Sequence, residues 1–92
     1  MNTNPRLVVA AANQYGPYIF IGVRHFCPLM VFNMVNYDIE SLRLQHGEIQ
    51  GFVDQYGVFM SRQEAHAVAL LNNQIKYRVG GDEFKLFSEN LY

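Results

Sequence analysis

The segment "QGFVDQYGVFMSRQEAHAVALLNN" (residues 50–73) constrains the fold more than any other part of the chain. Two short apolar runs flank Asp54-Gln55-Tyr56-Gly57, which has the composition of a tight turn, so this part predicts a β-hairpin. Ser61 and Glu64 have the spacing of a capping box, in which each side chain binds the other residue's backbone N–H at the start of a helix. The segment therefore predicts a hairpin that leads directly into a helix, with Ser61 as its N-cap.

The rest of the chain predicts further short elements around this unit. Apolar runs on both sides of Gly16-Pro17 predict a first hairpin, and Pro28 fits the first turn of a helix. That helix should cover about 28–37, or extend to 44 with its end at His46-Gly47, unless Asn36-Tyr37-Asp38 breaks it. The predicted order is roughly ββαββαβ, an α+β fold with an antiparallel sheet and two helices. The predicted strands are 7–12, 18–23, 52–53, 58–60 and 74–79, followed by an extended piece at 84–87 and a last helical turn from Ser88.

Length and composition predict one domain over residues 1–92 that associates with itself. Half of the 92 residues are hydrophobic and only 16% are charged, against roughly 25% in an ordinary soluble domain. A chain this short buries only about 60–65% of its unfolded surface, so apolar surface is left over. A homo-oligomer, most simply a two-fold dimer, would cover it. The alternative is a monomer with an unusually apolar surface.

The charge pattern excludes several partners. Seven Lys and Arg against eight Asp and Glu give a net charge of −1. This leaves no basic cluster for a nucleic acid polymer and no dense acidic surface to mimic one. No apolar run approaches the ~20 residues that cross a membrane, and the N-terminus lacks the features of a signal peptide. The single Cys27 cannot form an internal disulfide, which fits a reducing cytosol.

Arg24 and His25 form the first candidate site, because they end the apolar run 18–23 just before the helix predicted at Pro28. Helix N-termini attract anions, and an arginine adds a planar pair of donors that suits phosphate. The pair therefore predicts an anion clamp. The alternative is an arginine at the rim and a histidine that hydrogen-bonds a backbone carbonyl.

Four more residues complete the predicted ligand site. Arg62 lies in the first turn of the second helix, where a cation opposes the helix dipole. An anionic ligand or a carboxylate of a second subunit would offset that cost, and a flexible surface arginine is the alternative. Asn73 and Ser88 offer polar groups suited to a base or ribose, although both also suit ordinary capping, and Phe52 offers an aromatic wall.

Catalysis and metal binding are not expected. The chain has no glycine-rich phosphate loop, no paired catalytic carboxylates and no nucleophile elbow. His25 and Cys27 lack an orienting third residue, and Cys27 with the three histidines matches no zinc-ligand spacing. No cofactor, no metal and no enzymatic activity are therefore predicted.

The motifs "GVRHF" (22–26), "QGFVDQYGVFMSRQEA" (50–65), "NNQI" (72–75) and "LFSENLY" (86–92) resemble a family of small proteins from tailed bacteriophages. The resemblance covers roughly residues 22–92. The pattern is also similar to the Thoeris anti-defence proteins, which bind cyclic ADP-ribose isomers made by bacterial TIR enzymes and hold them away from the effector. No ligand role transfers from those proteins to individual residues here.

This resemblance implies a phage counter-defence protein that acts in the host cytoplasm. It would sequester a nucleotide immune signal, a cyclic ADP-ribose isomer or a cyclic oligonucleotide, without catalysis. The alternative is a phage protein that inhibits a host or defence protein by direct contact. Such a nucleotide needs a pocket with cationic and aromatic lining, which the six candidate residues provide.

Overall fold

The computed structural model describes residues 5–81 and 83–91. Two hairpins form one sheet, three α-helices follow the strands, and a single 3₁₀ turn lies near the C-terminus. The elements are β1 (Ala10–Tyr15), β2 (Tyr18–Gly22), α1 (Pro28–Met34), α2 (Ile39–His46), β3 (Ile49–Val53), β4 (Phe59–Ser61), α3 (Arg62–Leu71) and the turn Ser88–Asn90.

The four strands form an antiparallel sheet in the order β2-β1-β3-β4. Gly22, Ala11, Phe52 and Met60 lie opposite one another across it, so they share one face. The helices cover this face, and the core lies between them and the sheet. Its buried residues are Val8, Ala11, Tyr15, Phe20, Met30, Met34, Phe52, Met60, Ala65, Ala69, Leu86 and Leu91.

Gly22 lets α1 lie close against the sheet. A Cβ at this position would lie 2.7 Å from the Sγ of Cys27 and 2.9 Å from the Cβ of Met30. Both distances are shorter than real carbon contacts, so any larger residue would push α1 outward. The position of α1 is therefore set by the last residue of β2.

The predicted α+β fold with an antiparallel sheet is confirmed. The second hairpin and its helix are also confirmed, because β3 and β4 lead directly into α3. The hydroxyl of Ser61 accepts the Glu64 N–H at 3.1 Å, and the Glu64 carboxylate accepts the Ser61 N–H at 3.2 Å. The capping box therefore starts α3 where the sequence predicts it.

The helix predicted at about 28–37 forms as α1, and its extension to 44 is wrong because the chain breaks at 36–38. Helix α1 ends at Met34, and a separate helix, α2, runs from Ile39 to His46, so the described residues form three α-helices instead of the two predicted. The side chain of Asp38 accepts the Ser41 N–H at 3.1 Å and caps α2. Asparagine, tyrosine and aspartate at 36–38 thus favour a break and a new N-cap over helix continuation.

No helix of residues 5–81 and 83–91 is long and apolar enough to cross a membrane.

The strand predicted at 74–79 is wrong, the extended piece predicted at 84–87 joins no sheet, and the first strand lies at 10–15 instead of 7–12. One side-chain amide and one carbonyl of the C-terminal segment replace strand partners here. The amide of Gln74 accepts the Val8 N–H and donates to the Val8 carbonyl, each at 2.9 Å. The carbonyl of Asn90 accepts the N–H groups of Lys76 and Tyr77 at 2.8 and 3.1 Å. These backbone groups therefore find hydrogen-bond partners outside the sheet, and apolar periodicity cannot reveal such partners.

Candidate functional site

The C-terminal segment returns to the sheet at the start of α3. The Leu86 N–H donates to the carbonyl of Arg62 at 2.9 Å, and Nη1 of Arg62 donates to the carbonyl of Leu86 at 2.8 Å. Leu86 is itself buried in the core. The pair therefore both fixes the C-terminal segment and orients the guanidinium of Arg62. The side chains around it form the Arg62 cluster, which consists of His25, Gln50, Phe52, Arg62, Phe87 and Ser88.

Arg62 is half-buried and held by neutral groups. Its Nη2 donates to the Oε1 of Gln50 at 2.8 Å. The guanidinium carbon lies 5.0 Å from the ring centre of Phe87 and 6.0 Å from that of Phe52. Burial lowers the pKa of Arg62, and the nearby Glu89 carboxylate offsets only part of this effect. The two hydrogen bonds use two of the five guanidinium N–H donors. The alternative interpretation, a flexible surface arginine, therefore does not hold.

His25 connects β3 to the C-terminal segment. Its Nε2 lies 2.7 Å from the carbonyl oxygen of Gly51, and its Nδ1 lies 3.1 Å from the hydroxyl of Ser88. A carbonyl can only accept, so Nε2 carries the proton and the neutral ring accepts from Ser88 through Nδ1. The ring also packs edge-on against Phe52, with 5.1 Å between the centres. Burial lowers the pKa of His25, and the positive charge of Arg62 lowers it further.

Gly51 allows this close arrangement of strands and side chains. A Cβ there would overlap the carbonyl oxygen of Met60 and lie 2.7 Å from the Cζ of Phe59. The absence of a side chain lets β4 approach β3 at the point where the Gly51 carbonyl binds His25. Gly51 therefore shapes the cluster through its backbone.

A row of polar side chains continues from Arg62 toward α2. The amide of Gln50 donates to Oε1 of Glu48 at 3.1 Å, and Oε2 of Glu48 accepts from Tyr15 at 2.6 Å and from Arg43 at 2.8 Å. Burial raises the pKa of Glu48, but these three donors outweigh it, so the pKa lies below its ordinary value. Gln50 is thus oriented from both ends, which fixes the acceptor that it offers to Arg62.

The structure brings together four of the six predicted site residues: His25, Phe52, Arg62 and Ser88. Asn73 lies past the other end of α3, about 15 Å away by the rise of a helix of this length. It lines a separate open cavity of about 270 Å³ together with Val8, Gln74, Lys76 and Leu91.

Arg24 is exposed, and the helix after it has only seven residues. His25 hydrogen-bonds a backbone carbonyl, as the alternative interpretation of the pair states. The role of Arg24 in ligand binding stays a prediction.

Gln50 and Phe87 belong to the cluster but are absent from the sequence-based set. Phe87 is adjacent to Ser88 in the motif "LFSENLY", and Gln50 lies two residues before Phe52, so the motifs contained both residues. The sequence does not reveal that Leu86 pairs with Arg62, and this pairing brings the two motifs together.

Within residues 5–81 and 83–91, no three side chains of His, Cys, Asp or Glu form a group that could hold a metal ion.

Comparison with known families places the chain among bacteriophage proteins. Residues 7–92 match the family described as "Phage T4 y16D protein", so nearly the whole chain is covered. The chain belongs to this family. No curated protein and no solved structure gives a significant match. The family supports the predicted phage origin, while a relationship to the Thoeris anti-defence proteins has no support from these comparisons.

Proposed function

We propose that this phage protein sequesters a nucleotide immune signal, a cyclic ADP-ribose isomer or a cyclic oligonucleotide, in the host cytoplasm without catalysis. The proposed binding residue is Arg62, with a phosphate of the nucleotide as its partner. Phe87, which is half-buried beside the guanidinium, offers a ring edge or face to the base.

One observation carries the proposal: the charge of Arg62 is partly buried and hydrogen-bonded only to neutral acceptors among the described residues. Arg6 and Arg43 differ from it, because each forms a salt bridge with a carboxylate, at 2.7 and 2.8 Å. A desolvated cation with an oriented guanidinium and three remaining donors favours an anionic partner. The first-turn position of Arg62 on α3 adds the positive end of the helix dipole.

The hydrogen bonds of His25 favour binding over catalysis. Both ring nitrogens are engaged, with Gly51 and Ser88, so the imidazole is not positioned to move a proton to or from a ligand. Its function in the cluster is to hold the C-terminal segment against β3. A rigid frame of this kind lowers the ordering cost when a ligand binds.

Calorimetry with cyclic ADP-ribose isomers and cyclic oligonucleotides tests the proposal. Wild-type protein should bind at least one of them, and Arg62→Gln should weaken binding about ten- to a hundredfold through loss of a charge-assisted hydrogen bond. Arg62→Lys keeps the charge if the glutamine variant does not fold, and Arg43→Lys is the matched control. Equal affinities of wild type and Arg62→Gln would remove Arg62 from the site. No binding of any nucleotide would favour the alternative function, inhibition of a host or defence protein by direct contact.

A further inference from the structure

One side chain inside the sheet carries a polar atom without a hydrogen-bond partner. Among the described residues, two buried side-chain atoms lack a partner, Nη2 of Arg6 and Oδ1 of Asn13. The side chain of Arg6 is 38% exposed, whereas Asn13 is completely buried. Asn13 lies two residues after Ala11 on β1, so its side chain is on the sheet face that the helices cover. A buried amide oxygen in such a place normally binds a protein donor or an ordered water.

The amide of Asn13 has one orientation that fits its neighbours. The Tyr15 hydroxyl donates to Oε2 of Glu48 at 2.6 Å, so its oxygen can only accept from any further group. The Nδ2 of Asn13 lies 3.5 Å from this oxygen and faces it as a donor. Oδ1 of Asn13 therefore points away from Tyr15 and needs a donor elsewhere.

Gln50 is the polar neighbour of Asn13 across the strands. The two residues are opposite each other in the β1–β3 register, so their side chains share a face, with Cβ atoms about 4.5–5.5 Å apart. The amide of Gln50 is held at both ends, by Glu48 at 3.1 Å and by Arg62 at 2.8 Å. It cannot turn toward Asn13 without losing one of these bonds, although its Nε2 keeps a second N–H.

We infer that one water molecule binds between Asn13 and Gln50, at the buried end of the Arg62 cluster. The water donates to Oδ1 of Asn13 and accepts the second N–H of Gln50, which gives both groups a partner without moving either amide. A metal cation does not fit between these groups, because the free group of Gln50 is a donor. A larger ligand does not fit either, because Asn13 has no exposed surface.

The water completes the hydrogen bonding of Gln50. The amide then binds Arg62, Glu48 and the water, so the acceptor that it offers to Arg62 is fixed more firmly. The three remaining donors of Arg62 stay free for an anion. This inference goes beyond the proposed function and does not depend on it, because it concerns a site that the nucleotide does not contact.

Magnetisation transfer from water to the side-chain amides of ¹⁵N-labelled full-length protein tests the inference. The amide protons of Gln50 and Asn13 should show cross-peaks to water in laboratory-frame and rotating-frame Overhauser spectra. Opposite signs in the two spectra identify a long-lived bound water and exclude proton exchange. Asn90 is the matched control, because it is also completely buried and its amide binds Phe87 and Tyr77 within the chain. Its side-chain amide should show no such cross-peak.

Two variants identify the source of the Gln50 signal. Asn13→Leu should abolish the water cross-peak at Gln50, because the water loses its acceptor. Tyr15→Phe should keep that cross-peak, which excludes the Tyr15 hydroxyl proton as its source.

Any of four results would overturn the inference. These are no water cross-peak at Gln50 in wild type, an equal cross-peak at Asn90, a Gln50 cross-peak that persists in Asn13→Leu, or one that disappears in Tyr15→Phe. The wild-type spectra alone decide if Asn13→Leu does not fold. Because these spectra are recorded without nucleotide, failure of the proposed nucleotide binding leaves their result unchanged.

Discussion

Arg62 and Leu86 hold each other by two hydrogen bonds, each residue donating to the carbonyl of the other at 2.8–2.9 Å. One hydrogen bond joins the two backbones, and the other runs from the guanidinium of Arg62 to the carbonyl of Leu86. The same pair therefore attaches the C-terminal segment to α3 and aims the remaining guanidinium donors away from Leu86. The contacts that hold the C-terminal segment in place therefore also shape the candidate site.

Removal of the capping box should weaken α3. Ser61→Ala leaves the Glu64 N–H without its acceptor, which should lower the free energy of unfolding by about 1 kcal/mol. For a domain of this size the melting temperature should fall by about 4–8 °C. Ser41→Ala, inside α2, is the control and should change it less. An unchanged melting temperature in Ser61→Ala would contradict the importance of this cap.

Gln74 should stabilise the N-terminal segment through Val8. Gln74→Ala removes two hydrogen bonds at 2.9 Å and leaves a backbone N–H and a carbonyl without partners. We expect a loss of about 1–3 kcal/mol in the free energy of unfolding and faster hydrogen exchange of the Val8 amide. Gln45→Ala, on the exposed side of α2, serves as the control. Unaltered exchange at Val8 would show that this pairing does not hold in solution.

The comparison of these two sites shows what the sequence can predict. The Ser61 capping box depends on residues three positions apart, and its local spacing is visible in the chain. The Gln74–Val8 pair joins residues 66 positions apart through a side-chain amide, and neither residue carries a pattern that names the other. For the same reason the sequence predicts His25, Phe52, Arg62 and Ser88 as candidates but not the contacts that bring them together.

The helix predicted after Pro28 shows a second limit of prediction from the sequence. Its periodicity is local, yet Asp38 can either continue a helix or cap a new one, and the choice depends on small energy differences. Where two local signals agree, as at Ser61 and Glu64, the predicted helix start is confirmed.

The buried Gly51 should not tolerate a side chain. Gly51→Ala forces the Met60 carbonyl or the Phe59 ring to move, so the free energy of unfolding should fall by about 1–3 kcal/mol. Gly80→Ala is the matched control, because a Cβ there meets no atom within 4 Å. Denaturant unfolding of both variants measures the difference. Equal stability of the two would contradict the close approach of β4 to β3.

The stability of the protein should fall in mildly acidic solution because of His25. Burial and the charge of Arg62 lower its pKa in the folded state, while the unfolded value is 6.5. The unfolded chain thus binds more protons between the two values, so stability rises with pH across this window. The contribution of His25 is complete above pH 6.5 and is lost as the pH falls through the folded-state pKa.

Melting temperatures between pH 5 and 8 measure this effect. The decline below pH 6.5 should become shallower in His25→Gln. The same slope in wild type and His25→Gln would show that another group is responsible.

The most direct test of the account follows the guanidinium of Arg62 itself. Its Nε–H takes no part in the bonds to Leu86 and Gln50, so it should report a bound phosphate in a ¹H–¹⁵N spectrum of the arginine side chains. Addition of a cyclic ADP-ribose isomer or a cyclic oligonucleotide should shift the Arg62 signal saturably. The Arg43 signal, whose Nε donates to Glu48 at 3.2 Å, should stay in place. An unshifted Arg62 signal at saturating concentrations of every nucleotide would contradict the proposed site.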